Sequence, residues 1–305
     1  MIVGIVGYGI YVPKRRVSVT EPFATRLGIK TRSVPGSDED AATIAVAAVK
    51  QALASSSIEK ENIGALYVGS ESHPYAVKPT STIITSALDF SEDLMTADLE
   101  FACKGGTAAI QLCYGLVKAS MTGYALAVGA DTAQAKQGDV LEHSASAAGA
   151  AFLIGAVEQE LLATIDAMVS ITTNTPDFWR RNLQPYPEHT NRFTGEPSYF
   201  KHVMCAAQKI MDKTGLNPED FSYVVFHQPN GKFPKQVAKR LGFTMEQLKP
   251  GLVVELVGNS YSACSLLGLA AVLDCARPEQ KILLVSYGSG SGSDAFVLTV
   301  KRKQR

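Results

Sequence analysis

The sequence predicts an α/β fold built from two copies of one strand–helix unit. Three observations carry this. Apolar strand-like runs alternate with stretches of helical spacing along the 305 residues. A cysteine followed by two glycines sits where one such run gives way to a helix. The second half then repeats the order of the first.

The elements follow in order. Residues 2–7 read as a strand. Ala41, Ile44, Ala45, Ala48, Val49 and Ala52 keep helical spacing, and Asp38-Glu39-Asp40 before them suits a helix N-terminus. Residues 63–69 form a buried strand, and residues 80–88 a short helix after Pro79. Glu100-Phe101-Ala102-Cys103-Lys104-Gly105-Gly106-Thr107 leads into a helix marked by Ala108, Ile110, Leu112, Cys113, Leu116 and Val117. Strands are expected over 124–128, 150–154 and 162–169. Residues 174–197 are irregular, with Pro176, Pro185, Pro187 and Pro197 among clustered aromatics, and so long a loop is usually functional or interfacial. A helix is expected over 198–213.

The repeat is one of order rather than identity. Tyr223-Val224-Val225-Phe226-His227 matches Ala65-Leu66-Tyr67-Val68-Gly69. Gly258-Asn259-Ser260-Tyr261-Ser262 and its Leu/Ala helix match the Cys103 element. Ile282-Leu283-Leu284-Val285-Ser286-Tyr287-Gly288 matches Ala125-Leu126-Ala127-Val128-Gly129-Ala130-Asp131, and Asp294-Ala295-Phe296-Val297-Leu298 matches Gly149-Ala150-Ala151-Phe152-Leu153. Two halves are expected, residues 1–160 carrying the cysteine and 161–305 carrying the histidine and asparagine loops. Open α/β sheets bind ligands beyond the carboxyl ends of their strands. Glu71, His227, Asn259 and Cys103 all sit there.

Composition narrows the function. Lys plus Arg and Asp plus Glu number 29 each, so there is no basic excess and no nucleic-acid partner is expected. Cysteines 103, 113, 205, 264 and 275 are odd in number and form no CxxC pair, and the five histidines are scattered. No metal site and a reduced, cytoplasmic setting are expected. No apolar run reaches membrane-spanning length, and no basic start precedes a long apolar stretch, so neither a membrane span nor a signal peptide is expected.

Cys103 is the candidate nucleophile. At a helix mouth it meets unpaired backbone N–H groups and the positive end of the helix dipole, which favour the thiolate. Gly105 and Gly106 would let a substrate approach the backbone, whose N–H groups would hold an oxyanion. The alternative is a small buried cysteine in a tight turn. Cys113, Cys205 and Cys275 fall on apolar helical faces and are expected in the core. Cys264 lies near Asn259 and is either a second reactive thiol or a buried inert one.

The motifs together resemble the archaeal hydroxymethylglutaryl-CoA (HMG-CoA) synthases of the thiolase superfamily. Gly69-Ser70-Glu71-Ser72-His73-Pro74-Tyr75-Ala76-Val77-Lys78-Pro79 resembles their glutamate segment. Ala97-Asp98-Leu99-Glu100-Phe101-Ala102-Cys103-Lys104 resembles the nucleophile segment, and Phe226-His227-Gln228-Pro229-Asn230-Gly231-Lys232-Phe233-Pro234 the histidine segment. Gly258-Asn259-Ser260-Tyr261-Ser262 and Tyr287-Gly288-Ser289-Gly290-Ser291-Gly292-Ser293-Asp294 match the last two loops.

The resemblance implies a thiolase-like duplicated five-layer α/β/α/β/α fold with pseudo-two-fold symmetry, usually dimeric. It implies that Cys103 takes an acetyl group from acetyl-CoA and that Glu71 removes a proton from the acetyl methyl. The carbanion attacks acetoacetyl-CoA, His227 polarises the ketone or protonates the alkoxide, and water releases HMG-CoA for isoprenoid synthesis through mevalonate. Asn259 would orient His227 or bind the acetoacetyl oxygen, or is simply a turn residue. Ser289 would donate to a substrate carbonyl, and Lys232 and Lys235 would meet CoA phosphates. The two CoA thioesters are substrates, and no cofactor is implied. The implied partners are a second copy, acetoacetyl-CoA thiolase and an OB-fold zinc-ribbon bridging protein. Two other readings stand beside this one: a ketoacyl synthase III-like condensing or acyl-transfer enzyme, which needs no carboxylate base, and a non-catalytic scaffold of a thiolase complex.

Overall fold

A computed structural model describes residues 1–132 and 135–304. The strands are β1 Gly4–Tyr11, β2 Arg16–Ser18, β3 Thr31–Ser33, β4 Ile63–Gly69, β5 Met95–Leu99, β6 Tyr124–Thr132, β7 Ala147–Gly155, β8 Ala163–Thr172, β9 Phe178–Trp179, β10 Glu188–His189, β11 Tyr223–Phe226, β12 Lys281–Val285 and β13 Gly292–Val300. The α-helices are α1 Phe23–Leu27, α2 Ala41–Ala54, α3 Thr80–Ala87, α4 Gly105–Lys118, α5 Phe200–Thr214, α6 Phe233–Leu241, α7 Met245–Leu248, α8 Val254–Val257 and α9 Cys264–Cys275.

Local chemistry sets the element ends. Asp40 caps α2, accepting from the Thr43 N–H at 2.8 Å while Thr43 Oγ1 accepts from the Asp40 N–H at 2.7 Å. The C-termini of α5 and α6 stop at Gly215 and Gly242, both in the left-handed conformation that glycine adopts without cost.

The strands join in the order β11-β12-β13-β8-β1-β7-β6-β4-β5. Only Gly4↔Thr164 and Ile5↔Ala163 link β1 to β8, so the sheet is nearly cut at its centre. On one side β4 pairs in parallel with β6, β6 runs antiparallel to β7, and β7 to β1. On the other side β11 pairs in parallel with β12, β12 runs antiparallel to β13, and β13 to β8. These are two copies of one four-strand pattern, and β5 extends the first.

Three apolar clusters give the layers. In one, α2 and α3 pack Ile44, Ala48, Val49 and Ile84 on Leu66, Val68, Leu126 and Leu153. In another, α5 and α6 pack Val203, Ala207, Ile210 and Val237 on Leu283, Val285 and Val297. Between the two halves, α4 and α9 share one core of Ile110, Cys113, Leu266, Leu269 and Leu273 with Phe152 and Phe296. The result is the α/β/α/β/α stack.

Two cysteine expectations need correction. Cys113 is buried, but Cys205 and Cys275 are exposed. On α5 the buried stripe is Phe200, His202, Val203, Ala206, Ala207 and Ile210, which turns position 205 to solvent. The loop at 174–197 also carries structure of its own. Its β9 and β10 pair, and a helical segment at Thr194–Tyr199 runs into α5.

Candidate active site

Cys103 lies in a 3-10 turn, Ala102–Lys104, that opens into α4. Ala102 has φ 43°, a left-handed conformation that costs a non-glycine residue about 1–3 kcal/mol. The second half repeats this device. Tyr261 has φ 52° and begins the turn Tyr261–Ala263 ahead of α9. Ser262 therefore occupies the place in the second half that Cys103 occupies in the first.

The glycines after Cys103 serve chain packing. A Cβ on Gly105 would lie 2.9 Å from the Gly69 Cα, and one on Gly106 would lie 2.7 Å from the Ser262 carbonyl oxygen. The bare backbone lets α4 sit directly on the ends of β4 and β6. The sequence expectation that these glycines make room for substrate is thus replaced by contact between chain segments.

Glu71 follows β4 and turns back on the cysteine. The Cys103 thiol donates to Glu71 Oε1 at 3.2 Å. Burial holds the Glu71 carboxyl well above its ordinary range, and the nearby Asp131 adds to the rise. The thiol hydrogen bond and Arg180 pull the other way. Burial likewise pushes the Cys103 thiol up, followed by Glu71, with Asp131 and Cys264 contributing. This corrects the expected thiolate. The helix mouth is dry and faces a carboxyl group, and desolvation outweighs the dipole. The resting pair is a thiol hydrogen-bonded to a carboxyl.

Asp131, at the end of β6 and fully buried, organises the site. Its Oδ1 accepts from Ser70 Oγ at 2.8 Å, the Glu71 N–H at 2.9 Å and Ser72 Oγ at 2.6 Å. Its Oδ2 accepts from the Ser262 N–H at 2.9 Å and from the Ser262 hydroxyl. One carboxylate thereby fixes the Glu71 loop against the turn that follows Asn259.

Asn259 is 6% exposed. Its Oδ1 accepts from the Tyr261 N–H at 3.0 Å, and its backbone pairs with Ser144 and Ser146 at 2.7 and 2.9 Å. Tyr261, Ala145 and Cys103 pack as one small cluster with Phe178, so Asn259 borders the cysteine through Tyr261. Its amide oxygen does the work of a turn residue.

His227 directly follows β11, with its N–H on the Val285 carbonyl at 2.8 Å. It is 1% exposed, and burial lowers its pKa from 6.5 to about 3, so the imidazole is neutral. Among the described residues its Nδ1 has no hydrogen-bond partner. The Tyr199 hydroxyl donates to the His227 carbonyl at 2.6 Å, and the rings of Tyr199 and Tyr287 flank the imidazole at 6.4 and 6.3 Å. The next residue, Gln228, receives the Cys264 thiol on its carbonyl at 3.5 Å. The Cys264 thiol also adds to the rise of the Cys103 thiol. Cys264 itself is 1% exposed and pushed up to about 12 by burial, the state of an inert core thiol.

The Ser289 loop closes on the nucleophile turn. A Cβ at Gly288 would lie 2.5 Å from the Phe101 carbonyl oxygen. Buried Asp177 secures this loop, accepting from Tyr287 Oη at 2.5 Å and the Gly290 N–H at 2.7 Å. The irregular loop at 174–197 thus anchors the site. Next to Asp177, Phe178, Trp179, Arg180, Arg181 and Gly290 line a cleft of about 500 Å³. Arg180 also reaches the Glu71 carbonyl at 3.5 Å.

Cys103 and Glu71 therefore touch, Asn259 and the Ser289 loop border them through one intervening residue or loop, and His227 lies next to Gln228, whose carbonyl receives the Cys264 thiol. Lys232 and Lys235 stand apart. Lys232 is exposed at the start of α6, and Lys235 is ion-paired with Glu255 at 2.7 Å. Sequence reasoning missed Asp131 and Asp177. Their signal was an acidic residue in an apolar setting, after Val128-Gly129-Ala130 in one case and before Phe178-Trp179 in the other.

A cysteine heading a central helix, on a duplicated α/β/α/β/α frame, defines the thiolase-like class of condensing enzymes. A crystal structure of HMG-CoA synthase complexed with CoA superposes with a TM-score of 0.91, over 99% of this chain and 83% of that one, at 21% identity. A β-ketoacyl-[acyl carrier protein] synthase III of Thermus thermophilus gives 0.89 over 97% of this chain and 98% of that one, at 25% identity. The family model for the hydroxymethylglutaryl-coenzyme A synthase N-terminal region matches residues 2–158, and that for the 3-oxoacyl-[acyl-carrier-protein] synthase III C-terminal region matches residues 211–300. The hydroxymethylglutaryl-CoA synthase of Archaeoglobus fulgidus is 56% identical over 98% of this chain and 89% of its own. That of Methanopyrus kandleri is 56% identical over 99% of this chain and 88% of its own. The chain belongs to the hydroxymethylglutaryl-CoA synthase family.

Proposed function

We propose that this protein condenses acetyl-CoA with acetoacetyl-CoA to give HMG-CoA, through an acetyl group carried on Cys103. The observation that carries the reading is the Cys103 thiol donating to the Glu71 carboxyl at 3.2 Å. As the sulfur attacks the thioester carbonyl, its proton passes to Glu71. The C–S bond to CoA breaks, and CoA leaves as the thiol with that proton. Glu71 is then ionised beside the new acetyl group.

Acetylation also strengthens the base. The thiol hydrogen bond holds the Glu71 pKa down, and acetyl-Cys103 has no such proton to donate. Glu71 then takes a proton from the acetyl methyl, and the carbanion adds to the ketone of acetoacetyl-CoA. A base whose pKa is raised towards the working pH suits this carbon acid. His227, neutral and dry, acts as a hydrogen-bond donor that polarises the ketone rather than as an imidazolium acid. The proton removed by Glu71 ends on the alkoxide. Water then cleaves the Cys103 thioester, releasing HMG-CoA and restoring the thiol. Protein groups, the two thioesters and one water supply each step, and no cofactor is called on.

Lys232 and Lys235 are proposed to meet CoA phosphates beyond His227. A homodimer is supported by β5, which ends the sheet with five half-buried residues and, among the described residues, an outer edge with no strand partner. Association with a thiolase and a bridging protein, and a cytoplasmic location, rest on the family resemblance. No helix among the described residues is long and apolar enough to cross a membrane.

Synthase III-like chemistry is the second reading, favoured by the family model over residues 211–300. The two readings separate on Glu71, because decarboxylation makes its own carbanion. The test is product analysis with acetyl-CoA and acetoacetyl-CoA, then with acetyl-CoA and a malonyl thioester. HMG-CoA formed by the wild type and lost in Glu71→Gln supports the proposal. A 3-oxoacyl product that survives Glu71→Gln overturns it.

A further inference from the structure

The residue after the nucleophile is a buried lysine. Lys104 is 4% exposed, and its Nζ pairs with Asp294 Oδ2 at 3.0 Å, with 5% and 0% of the two side chains exposed. Asp294 lies on β13, in the second half of the fold. Its other partners are Thr107 Oγ1 at 2.8 Å and Ser170 Oγ at 2.8 Å, so each carboxylate oxygen is used. Thr107 stands one turn along α4 and also meets Ser286 Oγ at 2.7 Å. Cationic Nζ sits 4.1 Å from the centre of the Phe101 ring.

The lysine stem is as constrained as its charge. A Cβ on Gly288 would come 2.6 Å from Lys104 Cγ, and one on Gly292 would come 3.0 Å from Lys104 Cδ and 2.6 Å from Phe101 Cζ. The two glycines that bracket Ser289 are thus laid directly on the lysine stem and the Phe101 ring. One side chain touches the nucleophile turn, the Ser289 loop and β13 together. A buried ion pair is a poor device for stability, since desolvating both charges offsets most of their attraction. The groups that move the Cys103 titration are burial, Glu71, Asp131 and Cys264, with Lys104 not among them. Asp294 neutralises the lysine locally, which leaves geometry as its role.

We propose that Lys104 is a positioning residue for acyl transfer. Its ion pair with Asp294 clamps the Cys103 turn against the Ser289 loop, and so sets the thiol and the loop at the spacing that an acyl carbonyl requires. The inference rests on Cys103 being the acyl acceptor. Failure of that reading is separately visible, as the absence of an acetyl adduct on Cys103 in the unaltered protein.

The test compares two reactions of one sulfur in Lys104→Met and in Lys104→Met/Asp294→Asn. The first is acetylation by acetyl-CoA, which needs the carbonyl held in place. The second is alkylation by iodoacetamide, which does not. Both rates are followed by mass spectrometry on the folded fraction, and alkylation is repeated across pH. A lost clamp should lower the acetylation-to-alkylation ratio by about 10²-fold in each variant, the scale of an ångström-sized misplacement. The alkylation pH profile should stay in place. If Lys104→Met does not fold, the double variant, which leaves no buried unpaired charge, carries the same test. A ratio that stays at the wild-type value in the double variant overturns the proposal, because the pair would then be structural only. A shifted pH profile also overturns it, because the lysine would then act on the thiol by charge.

Discussion

Burial of His227 makes the stability of this protein depend on pH in a calculable way. The imidazole is 1% exposed and titrates near 3, against 6.5 when unperturbed. Above pH 6.5 the residue is neutral in both states and contributes no pH dependence. As pH falls below 6.5 the unfolded chain takes up a proton that the folded protein refuses until about 3, so stability is lost across that window. Each pH unit is worth about 1.4 kcal/mol. Going from about pH 7.5 to about pH 4.5 crosses about two units below the unfolded pKa, so the residue costs about 2.7 kcal/mol of stability. Denaturant unfolding of the wild type and of His227→Gln at both pH values isolates this contribution. The wild type should lose about 2.7 kcal/mol more than the variant. Equal losses would refute the reasoning, for they would mean that the folded protein protonates His227 at an ordinary pKa.

Other substitutions separate the roles around Cys103. Glu71→Gln should slow acetylation of Cys103, because the thiol proton loses its acceptor, and should lower the condensation rate by about 10²–10⁴-fold, as loss of a general base does. It should also raise the melting temperature, because burial disfavours the ionised carboxylate. Asp131→Asn turns an amide N–H₂ towards donors now bound to Oδ2. It should cost about 1–3 kcal/mol for each buried donor left unpaired, read by denaturant midpoint, with a fall in kcat as the Glu71 loop loosens. Cys264→Ala should leave the acetylation rate of Cys103 unchanged within about twofold and lower stability by about 1 kcal/mol, as an average point mutant does. A large loss of labelling in that variant would make Cys264 a participant in the chemistry.

Much of this arrangement was legible in the residues, because apolar periodicity and motif order are local signals. The Ala41-to-Ala52 spacing gave α2, the Ile63-to-Gly69 run gave β4, and the matching of Tyr223–Phe226 to β4 located β11. The motif order pointed to the carboxyl–thiol contact that the structure contains. What escaped was set by long-range packing. Asp131 acquires its role only when residues 70–72 and 262 arrive from other elements. Lys104 acquires its partner only when Asp294 meets it across the two halves. The helix dipole predicted a thiolate at Cys103, but sequence does not report how dry that position is. The exposed positions of Cys205 and Cys275 depend on which helix face meets the sheet.

Acetyl-CoA labelling decides whether Cys103 carries the acyl group. The protein is mixed with acetyl-CoA, digested at low pH and mapped by peptide mass spectrometry, before and after a chase with acetoacetyl-CoA. One acetyl group should appear on the peptide that carries Cys103 and be lost during the chase as HMG-CoA appears. An acetyl group on any other residue, or no covalent adduct while HMG-CoA still forms, contradicts the assignment of Cys103 as the acyl carrier.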